Sequence, residues 1–233
     1  MPFYEREDKI LSILASEESI STEMLAKNLF ISLPTLRRDL IKLEARGKII
    51  KSHGKISLRR DQADEKIPFS LREEEASEAK MKMAKEAAKY IKDGDTIMLD
   101  ASTSAYCIIP HLKEFKDIIV ITSGAKAAIL LAHLGIPNIS SGGKMINRSF
   151  SYVGADAVSV LSRYNADVAF FSCRGLSDDG IPSDNSAEEN EIRRVMMKQS
   201  KKHVLLCDKS KKGKIYLNNL CDKNEIDVII SDE

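Results

Sequence analysis

Six short apolar runs follow Gly94: Thr96–Leu99, Ile118–Ile121, Asn138–Ile139, Val168–Phe171, His203–Leu206 and Val228–Ile230. Stretches with helical periodicity separate them, such as Ala125–Leu134. A strand with one wet face alternates apolar and polar residues, whereas these runs are nearly continuous, as expected of strands buried on both faces. Strands of that kind, regularly interrupted by helices, predict an α/β domain with a mostly parallel sheet covered on both sides. In such sheets ligands bind beyond the carboxyl ends of the strands.

The residues that follow the runs suit that role. They read Asp100-Ala-Ser102-Thr103-Ser104, Thr122-Ser123-Gly124, Ser140-Ser-Gly-Gly143-Lys144, Ser172-Cys-Arg174-Gly175 and Cys207-Asp208-Lys-Ser-Lys211. Hydroxyls and backbone N–H groups leading into a helix would stabilise a phosphate, which makes Asp100–Ser104 the strongest of these segments. Lys144 and Lys211 offer point charges, and Asp100, Glu189 and Asp208 can accept hydrogen bonds from sugar hydroxyls. Any one loop reads equally well as an ordinary helix cap. Five on one sheet edge point to a small-molecule site.

A different pattern precedes this domain. A first helix is expected over Glu5–Ala15, with Ile10, Leu11 and Leu14 as its stripe. A second begins after Ser21, a good N-cap, with Ile20 placed to pack on Leu25; Leu29 and Ile31 also point inward. A third follows Ser32 after a very short turn and ends near Gly47. Leu36, Leu40 and Leu43 define its buried face, Thr35, Arg38 and Lys42 lie roughly opposite, and Arg37 is to one side. Two helices joined this closely, the second presenting adjacent arginines, form a helix-turn-helix with a DNA-reading helix. Two β-prone stretches then flank Ser52-His53-Gly54, predicting a hairpin wing with His53 as a turn residue and with Lys51 and Lys55 on the phosphate backbone. Charge agrees: residues 27–60 carry a net +8, while residues 61–233 carry −3. Residues 59–72 are polar, include Pro68 and read as a linker, and Glu73–Ile91 reads as one long helix. The expected division is thus residues 1–58 for the winged helix-turn-helix domain, 59–72 for the linker and 73–233 for the sheet domain.

Ser32–Leu40, Leu43-Glu44-Ala45-Arg46-Gly47 and His53-Gly54 resemble the DeoR family of bacterial repressors, whose recognition helix carries Val-Ser-x-x-Thr-Ile-Arg-Arg-Asp-Leu. Ile31 and Leu36 stand at the hydrophobic positions, and Lys55 replaces the usual second wing glycine. The resemblance continues through Asp93–Asp100, Ser141-Gly142-Gly143, Val153-Gly154, Ala169-Phe170, Glu189, Arg193-Arg194-x-Met196 and Asp208-x-Ser210-Lys211. It implies a sensor domain similar in fold to ribose-5-phosphate isomerase, binding a phosphorylated sugar, and a repressor of carbohydrate genes acting on a double-stranded operator. It implies Thr35, Arg37 and Arg38 as the main DNA contacts, and the reading of helix and wing sets Ser32, Lys42, Lys51 and Lys55 beside them. The expected effector residues, taken from the loops after the strands, are Asp100, Ser102, Thr103, Ser104, Ser123, Gly143, Lys144, Arg174, Glu189, Asp208 and Lys211. This chain departs from the family at Ser102, where the phosphate loop usually has glycine, at Ser123-Gly124 for the usual Asn-Ser, and at Arg174, an added positive charge.

Other classes are disfavoured. Cys107, Cys173, Cys207 and Cys221 show no metal-ligand spacing and sit in or beside apolar runs, as buried reduced thiols do. No apolar run approaches the roughly 18 residues that span a membrane, and the charged N-terminus does not read as a signal peptide, so a cytoplasmic protein without membrane contact is expected. No catalytic residue, metal or cofactor is assigned. One small head buries too little DNA surface to bind tightly, so a homo-oligomer, dimer or tetramer, is expected. Two alternatives stay open: a sugar-phosphate isomerase-like enzyme using Asp100, Glu189 and Lys211, and a DNA binder whose sensor no longer binds a sugar phosphate.

Overall fold

The computed structural model describes residues 2–17, 19–46, 48–52, 54–58, 69–74 and 77–232. The chain forms two compact units, Met1–Glu75 and Ala76–Glu233.

In the first unit, α1 (Phe3–Ser16), α2 (Thr22–Asn28) and α3 (Leu33–Ala45) enclose a core of Ile10, Leu11, Leu14, Leu25, Leu29, Leu36, Leu40 and Leu43. Both expected caps form: Ser21 Oγ accepts from the Met24 N–H at 3.2 Å and Ser32 Oγ from the Thr35 N–H at 3.4 Å. The wing hairpin pairs β2 (Ile49–Ser52) with β3 (Lys55–Leu58). A strand the sequence did not signal, β1 (Ile20–Ser21), adds to β3 and makes a three-stranded antiparallel sheet in the order β1-β3-β2. Gly54 takes the positive φ of the wing turn, +76°, and Lys55 lies in the strand, so the missing second glycine costs the turn nothing. Gly47 and His53 lie outside the described residues.

The segment expected to close the linker instead begins a short helix, α4 (Phe69–Glu74), which packs on α1 and buries Phe69. The helix expected over Glu73–Ile91 is correspondingly shorter: α5 spans Ser77–Ala87, and a 3-10 turn follows at Ala88–Tyr90.

The second unit holds all six expected strands, β4 (Thr96–Leu99), β5 (Ile119–Thr122), β6 (Asn138–Ser140), β9 (Val168–Ser172), β12 (His203–Leu206) and β14 (Val228–Ile230), in one sheet. Its order is β14-β12-β9-β4-β5-β6 and every pairing is parallel. Ile97, Leu99, Val120, Val168, Phe170, Val204 and Leu206 face a layer formed by α5, α6 (Thr103–Tyr106) and α7 (Ala125–His133). Met98, Ile121, Ala169, Phe171 and Leu205 face α8 (Ala155–Leu161) and α9 (Ala187–Lys198). Both faces are buried, which is why the strands lack alternation. The chain builds β4, β5 and β6 outward in one direction, then crosses back to place β9 on the other side of β4. The carboxyl ends of β4 and β9 therefore flank the point where strand order reverses, the crevice in which doubly wound sheets bind ligands.

Two smaller pieces decorate this edge. The hairpin β7 (Lys144–Ile146) and β8 (Ser151–Val153) follows β6, and β10 (Gly175–Leu176), β11 (Pro182–Asp184) and β13 (Asn218–Asn219) form an antiparallel sheet after β9.

Candidate nucleic-acid interface and ligand site

On α3 the buried face is Leu36, Asp39, Leu40 and Leu43, while Arg37, Arg38 and Lys42 are exposed and Thr35 is half-buried. The aspartate of the Arg-Arg-Asp-Leu run thus points inward. Arg6 of α1 holds it through two bonds, Nε to Oδ2 at 2.6 Å and the other guanidinium nitrogen to Oδ1 at 3.0 Å. This fork sets the rotation of α3 about its axis and so fixes which residues face outward. Glu7, the next residue on α1, is buried and binds Arg46 at 3.0 Å and Lys48. Two carboxylates therefore neutralise cations behind the helix, and the arginines in front keep theirs.

The other expected DNA residues are more constrained. Ser32 Oγ lies 2.9 Å from Thr35 Oγ1. The Lys42 ammonium stands over the Phe3 ring, 4.6 Å from its centre. Lys51 of the wing pairs with Glu44 of α3 at 2.8 Å, and Lys55 is exposed. The Lys51–Glu44 pair ties wing to helix, and both partners are open enough to water to exchange for a phosphate at small cost.

At the strand-order reversal the polar groups are densely engaged. Asp100 is buried. Its Oδ1 accepts from the Ser102 N–H at 3.0 Å, and its Oδ2 accepts from the Ser172 N–H at 3.3 Å and from Arg193 Nε at 3.0 Å. This joins the loops after β4 and β9 across the crevice. Arg193 also donates to Asp184 at 2.8 Å and Asn190 at 2.9 Å. Burial opposes the guanidinium charge, but Asp184, Asp100 and Glu189 outweigh it and raise its pKa. Burial likewise opposes the Asp184 carboxylate, and Arg193 reverses the balance and lowers its pKa. From β12, Asp208 sits 3.3 Å from Lys211, which also donates to Ser172 Oγ at 2.8 Å. Lys211, with a smaller contribution from the buried Lys80 of α5, overcomes burial to hold Asp208 below the usual carboxylate range. Asp100 and Asp208, expected to accept sugar hydroxyls, are thus also held in place by cations and N–H groups.

The hydroxyls behave differently. Ser102 Oγ caps α6, accepting from the Ala105 N–H at 3.1 Å. Ser104 and Ser123 are buried, and neither hydroxyl has a hydrogen-bond partner among the described residues. Leaving such a group dry costs about 1–3 kcal/mol. Gly124 fits close against Ala101, where a Cβ would stand 3.2 Å from the Ala101 Cα, so the loops after β4 and β5 touch.

The remaining expected residues lie around this centre. Arg174 stands over the Tyr216 ring, 5.0 Å from its centre. Lys144 is exposed and pairs with Glu188 at 2.9 Å, and Glu189 pairs with Arg148 at 3.3 Å. Gly143, at φ +106°, is needed for packing: a Cβ there would stand 2.8 Å from the Val153 carbonyl oxygen. Arg193, Ser172, Asp184 and Lys80 were not among the expected site residues. For Arg193 a signal existed: it interrupts the buried stripe of Ile192, Met196 and Met197 on α9. Of the cysteines expected to be buried, Cys173 and Cys207 are, whereas Cys107 and Cys221 are half-buried. The thiols of Cys173 and Cys207 influence one another, raising the pKa of Cys173, which burial raises further, and lowering that of Cys207. Among the described residues no cluster of three metal-ligating side chains occurs, and no helix is long and apolar enough to cross a membrane.

Residues 6–61 match the DeoR-like helix-turn-helix domain and residues 75–233 the DeoR C-terminal sensor domain. The chain belongs to the DeoR family. Among DeoR-family relatives, it is 34% identical over 98% of its length to 88% of an uncharacterized HTH-type transcriptional regulator, YulB, of Bacillus subtilis. It is 34% identical, with the same coverage, to the HTH-type transcriptional repressor GlcR of that species. It is 31% identical to the L-fucose operon activator of Escherichia coli, covering 98% of this chain and 94% of the activator. Among solved structures, eIF2B delta from Chaetomium thermophilum shares the fold with a TM-score of 0.53 at 19% identity, over 70% of this chain and 58% of that one. Ribose 5-phosphate isomerase A from Methanocaldococcus jannaschii is similar at a TM-score of 0.44 and 21% identity, over 59% and 55% of the two chains. This DeoR-family chain is thus a transcriptional regulator, and its α/β domain is the family's sensor domain.

Proposed function

We propose that this protein regulates a carbohydrate operon by binding a double-stranded operator through α3 and the wing, and that a phosphorylated sugar at the β4–β9 crevice changes that binding. Arg37 and Arg38 read base edges, with Thr35 beside them. Ser32, Lys42, Lys51 and Lys55 contact phosphates. Residues 1–58 act as the reading head and residues 73–233 as the sensor. Two or four chains act together, so that paired heads reach half-sites about one helical turn apart, or a multiple of it.

One observation carries the sensor reading: beside the strand-order reversal, the loops after β4 and β5 bring two buried hydroxyls without partners, Ser104 and Ser123, next to a chain of fixed charges. Sugar and phosphate oxygens supply the acceptors and donors those hydroxyls lack. The engagement of Asp100 favours sensing over catalysis, since a guanidinium and two N–H groups tie this carboxylate into the frame of the crevice. Among the relatives GlcR is named a repressor and the fucose protein an activator, and either sign of control is compatible with this reading.

The test is a titration of the full chain against DNA from upstream of its own and neighbouring genes, followed by a panel of hexose and pentose phosphates. The expected result is specific binding altered by one sugar phosphate through a coupling of about 1–3 kcal/mol. Specific binding indifferent to the whole panel would refute the sensor half of the proposal.

A further inference from the structure

The hairpin β7–β8 belongs to no larger sheet, yet it is fastened at three places. At its base, Gly143 packs on Val153 and Ala157 with a contact too close for any side chain. Along β8 it joins the loop after β5: the Tyr152 N–H donates to the Ser123 carbonyl at 2.7 Å, the Ala125 N–H to the Phe150 carbonyl at 2.9 Å, and Gly124 bridges Ser151. Two ion pairs, Lys144–Glu188 and Arg148–Glu189, fasten it to the start of α9, one turn from the Arg193 that holds Asp100. The hairpin therefore reaches from the end of β5 to α9, and in sheet order β4, with its Asp100–Ser104 loop, lies between β5 and the β9 strand on which α9 packs.

Its turn carries Ser149, 4% exposed, whose hydroxyl has no partner. The next residue, Phe150, holds a left-handed backbone, φ +52°, which a bulky side chain disfavours. Ser123, the residue to which β8 is bonded, has the other unpartnered hydroxyl on this side.

From this we infer that the hairpin is a flap over the ligand site, and that Ser149 above and Ser123 below form a neutral subsite for the hydroxyl-bearing carbon chain of the sugar. The inference rests on the proposed sensor function and divides the ligand between two places. The phosphate belongs with the Ser102–Ser104 loop, and the polyol portion belongs under the flap. Serine hydroxyls both donate and accept, so the pair matches sugar hydroxyls, which do the same, and gives an anion no advantage. Both oxygens are closed to solvent, so the ligand enters when the flap lifts. The exposed Lys144–Glu188 pair and the half-exposed Arg148–Glu189 pair are latches weak enough to allow it.

The experiment compares wild type, Ser149→Ala and Ser104→Ala as full chains. Calorimetric titration uses inorganic phosphate and a panel of hexose 6-phosphates and pentose 5-phosphates, with the melting temperature of each free protein recorded. Ser149→Ala should weaken the best sugar phosphate roughly tenfold, the worth of one hydrogen bond to a ligand, and leave inorganic phosphate within twofold of wild type. Ser104→Ala should weaken both. The free Ser149→Ala protein should melt no lower than wild type, because the removed hydroxyl has no partner to lose; Ser123→Ala should repeat the pattern. Equal sugar-phosphate affinity in wild type and Ser149→Ala overturns the subsite while the sensor stands, as does an equal loss of phosphate and sugar phosphate. Wild type binding no sugar phosphate overturns the sensor reading, and the subsite with it.

Discussion

The two units use buried charge in opposite ways. In the reading head, Asp39 and Glu7 turn inward and bind Arg6, Arg46 and Lys48, leaving Arg37 and Arg38 outside and uncommitted. In the sensor, the charges at the centre of the crevice are already matched: Asp100 and Asp184 by Arg193, and Asp208 by Lys211. A polyanion in water is met by exposed cations at little reorganisation cost. On the proposed reading, a small ligand that must be told from its isomers would meet neutral hydroxyls held on a frame of matched charges, so charge would bind in the head and position in the sensor.

The comparison breaks first at Arg193. Arg193→Ala leaves Asp100 and Asp184 buried without their cation and should cost about 3–5 kcal/mol in chemical denaturation of the sensor. A loss under about 1 kcal/mol would mean the frame is dispensable. In wild type Asp184 and Asp208 have lowered pKa values, so they contribute stability above roughly pH 4, the unfolded carboxylate value, and lose it as pH falls. In the variant the buried carboxylates should gain stability on protonation, so its deficit should narrow between about pH 6 and pH 4.

Arg38→Ala should weaken specific operator binding by about 1–3 kcal/mol and leave the melting curve of the head unchanged. An altered melting curve would show that the exposed arginine also has a structural task. At Phe30, 95% exposed with φ +53° in the turn between α2 and α3, glycine should relieve the left-handed strain and raise the head's stability by about 1 kcal/mol. The smallest effect is expected at Lys51. Alanine there should weaken all DNA sequences alike and reduce the salt slope by about 1; a change in sequence preference would move Lys51 from phosphate to base.

Most of this architecture is legible in the sequence, and the exceptions share a cause. The six sheet strands announce themselves because each is apolar on both faces, and α3 announces itself through Ser32 and the leucine spacing. The strands that went unread, such as Lys144–Ile146, Pro182–Asp184 and Asn218–Asn219, are two or three residues long and partly polar, too short for any periodicity to show. The helix expected to run through Glu73 is shorter because Phe69 packs α4 into the first unit. The partners of Asp100 and Asp39 went unread because Arg193 and Arg6 lie 93 and 33 residues away, and spacing along a chain carries no record of such a meeting.

The position of β4 at the middle of the sheet has a consequence for synthesis. β4 is made first of the six and acquires β5 and β6 on one side at once, but its other edge stays open until β9 is made, more than sixty residues after Leu99. A nascent chain at that stage presents an unpaired parallel edge, and strands that must wait for distant partners fold slowly. Lys211, which completes the crevice, comes later still. A chain interrupted before β12 would therefore carry a complete first unit beside a sheet lacking β12 and β14, with the Asp208–Lys211 side of the crevice unmade.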